Sequence, residues 1–231
     1  MVNVALIVAG GSGTRMGGDT PKQFHLINEK PLLVYTIEAF NKHPEIDSIV
    51  VVTSKEYIQT VKDWLLKYDL KKLFKVVEGG KSRQDSVYNG LKVIDEFFDE
   101  DDIVLIHDAA RPLVSASIIS ENISACHHYD AVTTAIPTSD TILKVNEYHT
   151  IEDIPNRDEL YQCQTPQTFR LGVILSAHEM ARNGEIDNVT DDTKLVMAVN
   201  KDVFIVRGDK YNFKVTTPED MLMLKALLER K

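Results

Sequence analysis

Cysteine is scarce in this chain. Only Cys126 and Cys163 occur in 231 residues. They lie far apart, with neither metal-site spacing nor a disulfide framework, so a reducing compartment and a cytoplasmic location are expected. Long apolar runs are also missing: none approaches the roughly 20 residues that cross a bilayer, which excludes membrane insertion by a helix. A basic excess is absent too. Lysine and arginine number 26 against 35 aspartates and glutamates, a formal charge of -9. That balance argues against a nucleic-acid or anionic-membrane surface, which relies on a basic footprint, but not against one nucleotide in a local basic pocket. The opening MVNVALIVAGG has no basic leader or cleavage signal and reads as a first strand. There is no GxxxxGK[ST] P-loop, no HExxH and no Ser-His-Asp order, so nothing points to a covalent intermediate.

What is present is alternation. Short Val- and Ile-rich runs at 4–8, 48–52, 74–77, 103–107 and 131–135 suit strands of a parallel sheet covered on both faces. Between them, Leu33, Ile37 and Phe40 recur at helical spacing, as do Ile58, Val61 and Leu65, then Val87, Leu91 and Ile94, then Ile119, Ile123 and Cys126. This is a βαβ pattern and predicts an α/β, Rossmann-like, predominantly parallel sheet with helices on both faces. Residues 138–157 break the rhythm: two short extended pieces around a polar turn predict a projecting β-arm, used as a lid or for dimerisation. Residues 202–206 return to strand character. Thr217-Pro218-Glu219-Asp220 then gives an N-cap, a proline at the first helical position and first-turn acids. One domain over 1–231, with the arm inserted, accounts for the whole pattern.

The sharpest local signal is the loop after the first strand. Ala9, Gly10, Gly11 and Gly13 let the backbone approach phosphate oxygens, and successive amides in such a loop bind anions. A tight strand–helix connection is the bland alternative, but Arg15 and Lys22 add two cations shortly afterwards. Gly11-Ser12-Gly13-Thr14-Arg15-Met16 lacks the last glycine of a dinucleotide fingerprint, so a nucleoside triphosphate fits better. A second group, Glu78 to Ser86, offers Gly80, Asp85 and Ser86, with helix capping the competing explanation. A third, Ile106 to Pro112, lies at the carboxyl end of a strand, where open α/β sheets bind ligands. There Asp108 suits Mg²⁺, Arg111 suits a substrate phosphate, and His107 suits a hydrogen bond beneath the site. Thr141, Arg157, Thr190-Asp191-Asp192 and Lys214 add further phosphate donors and a possible second metal-ligand region.

Together these segments resemble the family containing 2-C-methyl-D-erythritol 4-phosphate cytidylyltransferase and ribitol-5-phosphate cytidylyltransferase. The resemblance runs from LIVAGGSGTRMGGDTPKQF through EGGKSRQDSVYNGL, HDAARPLV, SDTI, IPNRDELYQCQTPQTFR and VTDDTKLV to NFKVTTPEDM, almost the whole chain. It implies attack by a polyol phosphate on the α-phosphorus of CTP. Arg15, Lys22 and Lys214 would be catalytic, and Gly80, Asp85 and Ser86 would recognise the cytidine. Asp108 would contact Mg²⁺, and Arg111, Thr141 and Arg157 would hold the acceptor phosphate. It also implies a homodimer whose arms complete the neighbouring sites.

For the acceptor, Ala9-Gly10-Gly11 and the Tyr161-Gln162 segment after IPNR favour ribitol 5-phosphate. HDAARP and Thr190-Asp191-Asp192 favour the alternative, methylerythritol 4-phosphate. The reading taken is ribitol 5-phosphate. An inactive nucleotide-binding homologue would be the third option, against which stand Arg15, Lys22, Asp108 and Lys214.

Overall fold

The computed structural model describes residues 1–11, 20–184, 186 and 191–229. The chain begins with β1 (Asn3–Ala9), a small ribbon of β2 (Leu26–Ile27) and β3 (Lys30–Pro31), and α1 (Leu32–Asn41). There follow β4 (Ser48–Thr53), α2 (Ile58–Lys67), β5 (Leu73–Glu78), α3 (Arg83–Asp95), β6 (Ile103–Asp108), α4 (Ala116–Cys126) and β7 (Ala131–Pro137). A hairpin of β8 (Lys144–Val145) and β9 (Ile151–Asp153) leads to β10 (Tyr161–Arg170), α5 (Leu171–Arg182), α6 (Asp192–Ala198), β11 (Phe204–Arg207) and α7 (Pro218–Leu228).

Seven strands form one sheet in the order β11-β7-β10-β6-β1-β4-β5. Only β10 runs antiparallel to its neighbours, so the expected α/β class holds. Strand alternation explains the two cores. In β1, Ala5, Ile7 and Ala9 face α1, α2 and α4, while Val4 and Leu6 face α3, α5 and α6. Both faces are covered, as a parallel sheet requires.

After β1 the chain builds outward through β4 and β5, then returns to place β6 on the other side of β1. That reversal is a topological switch point, the usual ligand crevice of such sheets. The strand ends are level there: Ala9 pairs with Thr53, Thr53 with Glu78, and Val8 with Asp108. Four loops therefore open onto one edge.

The segment at 138–157 is a hairpin whose strands pair only with each other. Asn146 turns it, its Oδ1 accepting from the Tyr148 and Thr150 amides at 3.0 and 3.1 Å. Ile142, Val145, Ile151 and Ile154 are exposed along it. Among the described residues no helix is long and apolar enough to cross a membrane.

Candidate active site

A cavity of about 470 Å³ lies at the switch point, within the size range of small-molecule sites. Its floor is the end of β1 and the glycine loop, with Ala9, Gly10 and Gly11. One wall is the start of α3, another is the stretch after β6, and Lys214 and Thr216 close it from the C-terminal side. Among the described residues, four cationic side chains line it, Lys22, Lys81, Arg83 and Lys214, against one carboxylate, Asp108. In a chain of net charge -9 this is a local reversal of sign, suited to a polyanion.

The α3 wall is built by capping. Ser82 Oγ accepts from the Asp85 amide at 3.0 Å and donates to the Asp85 carboxylate at 2.8 Å. Ser86 Oγ donates to the Ser82 carbonyl at 2.8 Å and accepts from the Gly80 amide at 3.0 Å. A Cβ on Gly80 would stand 2.2 Å from that of Asp85, so only glycine permits this loop. Gly80 and Ser86 line the cavity; Asp85 does not, its carboxylate being spent on the cap and on Arg182 at 2.9 Å.

Asp108 sits at the end of β6 with three cations around it. Lys214 Nζ is 2.9 Å away, Arg111 Nε 3.5 Å and Arg83 Nε 3.6 Å. Burial opposes its charge, but Lys214, Arg83 and Arg111 hold the carboxyl well below the usual range. Arg83 reaches the other way to Asp192, at 2.6 Å, and Asp192 is held at 3.1 Å by buried His178. Burial works against the Arg83 charge, and Asp192 and Asp108 more than offset it, raising its pKa.

Arg111 is buried beside the cavity, not in its lining. Its guanidinium donates to the Asn212 carbonyl at 2.8 Å and to the Cys163 carbonyl at 3.4 Å. His107 lies beneath: its Nε2 meets the Arg111 carbonyl at 3.1 Å, and Nδ1 meets Thr165 Oγ1 at 3.0 Å. A carbonyl can only accept, so the proton is on Nε2 and Thr165 donates to Nδ1. Burial pushes the His107 pKa down to about 4, leaving a neutral strut.

Thr141 and Arg157 are exposed on and just after the hairpin, away from the cavity lining of their own protomer. Gly13, Arg15 and Thr190 lie outside the described residues. The suggested second metal region is instead committed to structure: Asp191 caps α6 by accepting from the Thr193 amide at 2.9 Å, and Asp192 is the buried partner of Arg83. Among the described residues no three His, Cys, Asp or Glu side chains converge to hold a metal. Sequence reasoning missed Arg83 and Gln23, which both line the cavity. Arg83 stood within the EGGKSRQDSV segment, and counting cations beside the glycines would have found it.

Comparison with known proteins agrees with this geometry. Residues 3–230 match the family model described as IspD: 2-C-methyl-D-erythritol 4-phosphate cytidylyltransferase. A 2-C-methyl-D-erythritol 4-phosphate cytidylyltransferase of Clostridium botulinum (strain Langeland) is 42% identical over 99% of this chain and 98% of the relative. A ribitol-5-phosphate cytidylyltransferase of Lactiplantibacillus plantarum is 37% identical, over 98% of both. The solved 4-diphosphocytidyl-2C-methyl-D-erythritol synthase of Anaerococcus prevotii superposes with a TM-score of 0.85 at 31% identity, covering 99% of this chain and 96% of its own. The chain therefore belongs to the IspD family of cytidylyltransferases.

Proposed function

We propose that this chain transfers the cytidylyl group of CTP to 2-C-methyl-D-erythritol 4-phosphate and releases pyrophosphate. The observation that carries the nucleotide reading is the cavity lined by Lys22, Lys81, Arg83, Lys214 and Asp108, at the switch point of an acidic chain. The acceptor rests on the family model and on the 42% identity to a methylerythritol-phosphate enzyme against 37% to a ribitol-phosphate one. These comparisons favour the methylerythritol alternative over the ribitol reading of the sequence.

An oxygen of the acceptor phosphate attacks the α-phosphorus of CTP. A new P–O–P bond forms, the α–β bridge breaks, and pyrophosphate leaves with the bonding electrons. The nucleophile is already anionic, so catalysis is alignment and charge stabilisation, with no protein base. Lys22 and Lys214, with Arg15, neutralise the triphosphate and the charge that grows at the α-phosphorus. Lys214 is pre-set by its contact with Asp108, so little reorganisation accompanies the reaction. Ala9, Gly10, Gly11 and Gly13 carry the phosphates, and Gly80 and Ser86 the cytidine, with Asp85 bracing that turn. Arg111 braces Asp108 from behind, while Thr141 and Arg157 reach the acceptor phosphate from a neighbouring subunit.

Mg²⁺ usually takes one or two carboxylates plus phosphate oxygens and water. Asp108, among the described residues the one carboxylate in the cavity lining, fits such a nucleotide-borne ion and not a protein cage. When bound, the ion would neutralise phosphate charge next to Asp108. Rigorous removal with EDTA should abolish turnover and added Mg²⁺ restore it; full activity in metal-free buffer would reject the role of Asp108.

Ribitol 5-phosphate is the second reading, supported by Ala9-Gly10-Gly11 and Tyr161-Gln162. Both acceptors present a phosphate, so the pocket must separate them by hydroxyl pattern and by the methyl group. An unpaired buried hydroxyl costs about 1–3 kcal/mol, so about five- to 150-fold in catalytic efficiency is expected in favour of methylerythritol 4-phosphate. Initial rates for each acceptor at saturating CTP and Mg²⁺ test this. A clear preference for ribitol 5-phosphate would reverse the acceptor and leave cytidylyl transfer intact.

A further inference from the structure

The turn at Lys22–Phe24 is fixed from three directions. Pro21 stiffens its entry, and the Phe24 amide donates back to the Pro21 carbonyl at 2.9 Å. The Phe24 ring is buried against Tyr57 and Trp64, with centroids at 3.9 and 5.7 Å. Between Lys22 and Phe24, Gln23 is 3% exposed and turns back across the floor of the cavity. Its Nε2 donates to the Ala9 carbonyl at 2.6 Å and to the Gly11 carbonyl at 3.0 Å.

Those two bonds use both hydrogens of the side-chain amide, which therefore has no donor left for a nucleotide. Their effect is on the backbone. A peptide's C=O and N–H point in opposite directions across its plane. With the Ala9 carbonyl turned onto Gln23, the Gly10 amide faces away from it. Gly10 also lies against the α3 wall, where a Cβ would meet Ser86 Oγ at 3.2 Å. The same side chain therefore holds the backbone of Ala9, Gly10 and Gly11 and, through its neighbour, the backbone that carries Lys22.

We propose that Gln23 is the positioning residue of the CTP site, binding the backbone of Ala9, Gly10 and Gly11 to the Lys22 turn so that both are presented together to the triphosphate. The proposal rests on the CTP reading of the cavity. Glutamate at this position has the same shape, but its carboxylate oxygen cannot donate and would face two carbonyl oxygens.

The test is steady-state kinetics of full-length wild type, Gln23→Glu and Gln23→Met, varying CTP and the polyol phosphate in turn. A thermal melt of each with and without CTP accompanies it. Both variants should raise KM for CTP by about tenfold or more, the scale of losing one to two buried hydrogen bonds. KM for the acceptor should stay within about twofold, since an undisturbed contact contributes nothing to the difference. The melting temperature without CTP should fall by a few degrees in both variants, because the Ala9 and Gly11 carbonyls lose their donor in the unliganded fold too, and its rise on adding CTP should shrink as well. Methionine, uncharged and of similar length, carries the test if the glutamate variant does not fold. An unchanged KM for CTP, or an equal rise in both KM values, overturns the proposal. Wild type that turns over no CTP overturns the CTP reading itself, a distinct outcome.

Discussion

Lys22 and Lys214 come from opposite ends of the sequence and line the same cavity. If they stabilise charge that grows during transfer, each alanine variant should lower turnover by about 100-fold, the scale of one preorganised electrostatic contact. Near-normal kcat in Lys22→Ala and Lys214→Ala would remove both from the mechanism. His107 makes a different expectation, on stability. Its pKa falls from 6.5 in the unfolded chain to about 4 in the fold. The unfolded state thus binds the extra proton first, and stability drops as pH falls from about 6.5 towards about 4, by up to roughly 3 kcal/mol. Urea unfolding at pH 7.5, 6 and 5 should show that slope, and His107→Gln should flatten it; an equal slope in the variant would assign the effect elsewhere. At this scale the sequence singled out Asp108 by its place at a strand end and Lys214 by the family resemblance, and the fold brings the two within 2.9 Å. The sequence was silent on Gln23 and His178, whose parts depend on carbonyls and carboxylates brought close only by folding.

Among the elements, strands of uniform apolar character were legible and β10 was not. Four of its buried residues, Gln164, Thr165, Gln167 and Thr168, are polar, Phe169 is buried and apolar, and Pro166 sits where the register shifts. Such a run reads as a loop, because strand signals are β-branched and apolar and proline argues against a central strand. Hydrogen bonds make the burial tolerable: Gln164 Nε2 donates to the Asp209 carbonyl at 2.8 Å, and Thr168 Oγ1 to Asn122 Oδ1 at 3.1 Å. Helix α5 carries Leu171, Ile174 and Leu175 at helical spacing but went unread, because the unread strand before it hid its place in the alternation. The start of α7 was fully legible. Thr217 and Asp220 form a capping box, and Asp220 Oδ2 also accepts from the Thr216 amide and hydroxyl at 2.7 and 2.9 Å. That carboxylate steadies the segment bearing Lys214 and Thr216. Asp220→Ala should cost about 1–2 kcal/mol in unfolding free energy, the range of a lost cap. It should also raise KM for CTP; a stability loss with unchanged KM would confine the cap to folding.

At the scale of the molecule, the arm stands apart from the cavity of its own protomer. Thr141 and Arg157 are exposed, outside the cavity lining of their own protomer, on a hairpin with Ile142, Val145, Ile151 and Ile154 open to solvent. Apolar residues in such a row gain by burial, and a second copy in a two-fold arrangement would cover both arms at once. Sedimentation at micromolar concentration should therefore give a dimer, and Val145→Asp with Ile151→Asp should shift it to monomer. Whether the arms complete each other's sites is a stricter question, answered by mixing two inactive variants. Lys214→Ala disables a cavity and Arg157→Ala disables an arm. In a mixed dimer, one site joins both defects and the other joins an intact cavity to an intact arm. After unfolding and refolding an equal mixture, half the dimers are mixed and half their sites work, so about a quarter of wild-type activity should return under two-fold symmetry. If each site were built within one protomer, the mixture would stay as inactive as its components. Recovery near a quarter would then leave the arm with a chemical role as well as a structural one.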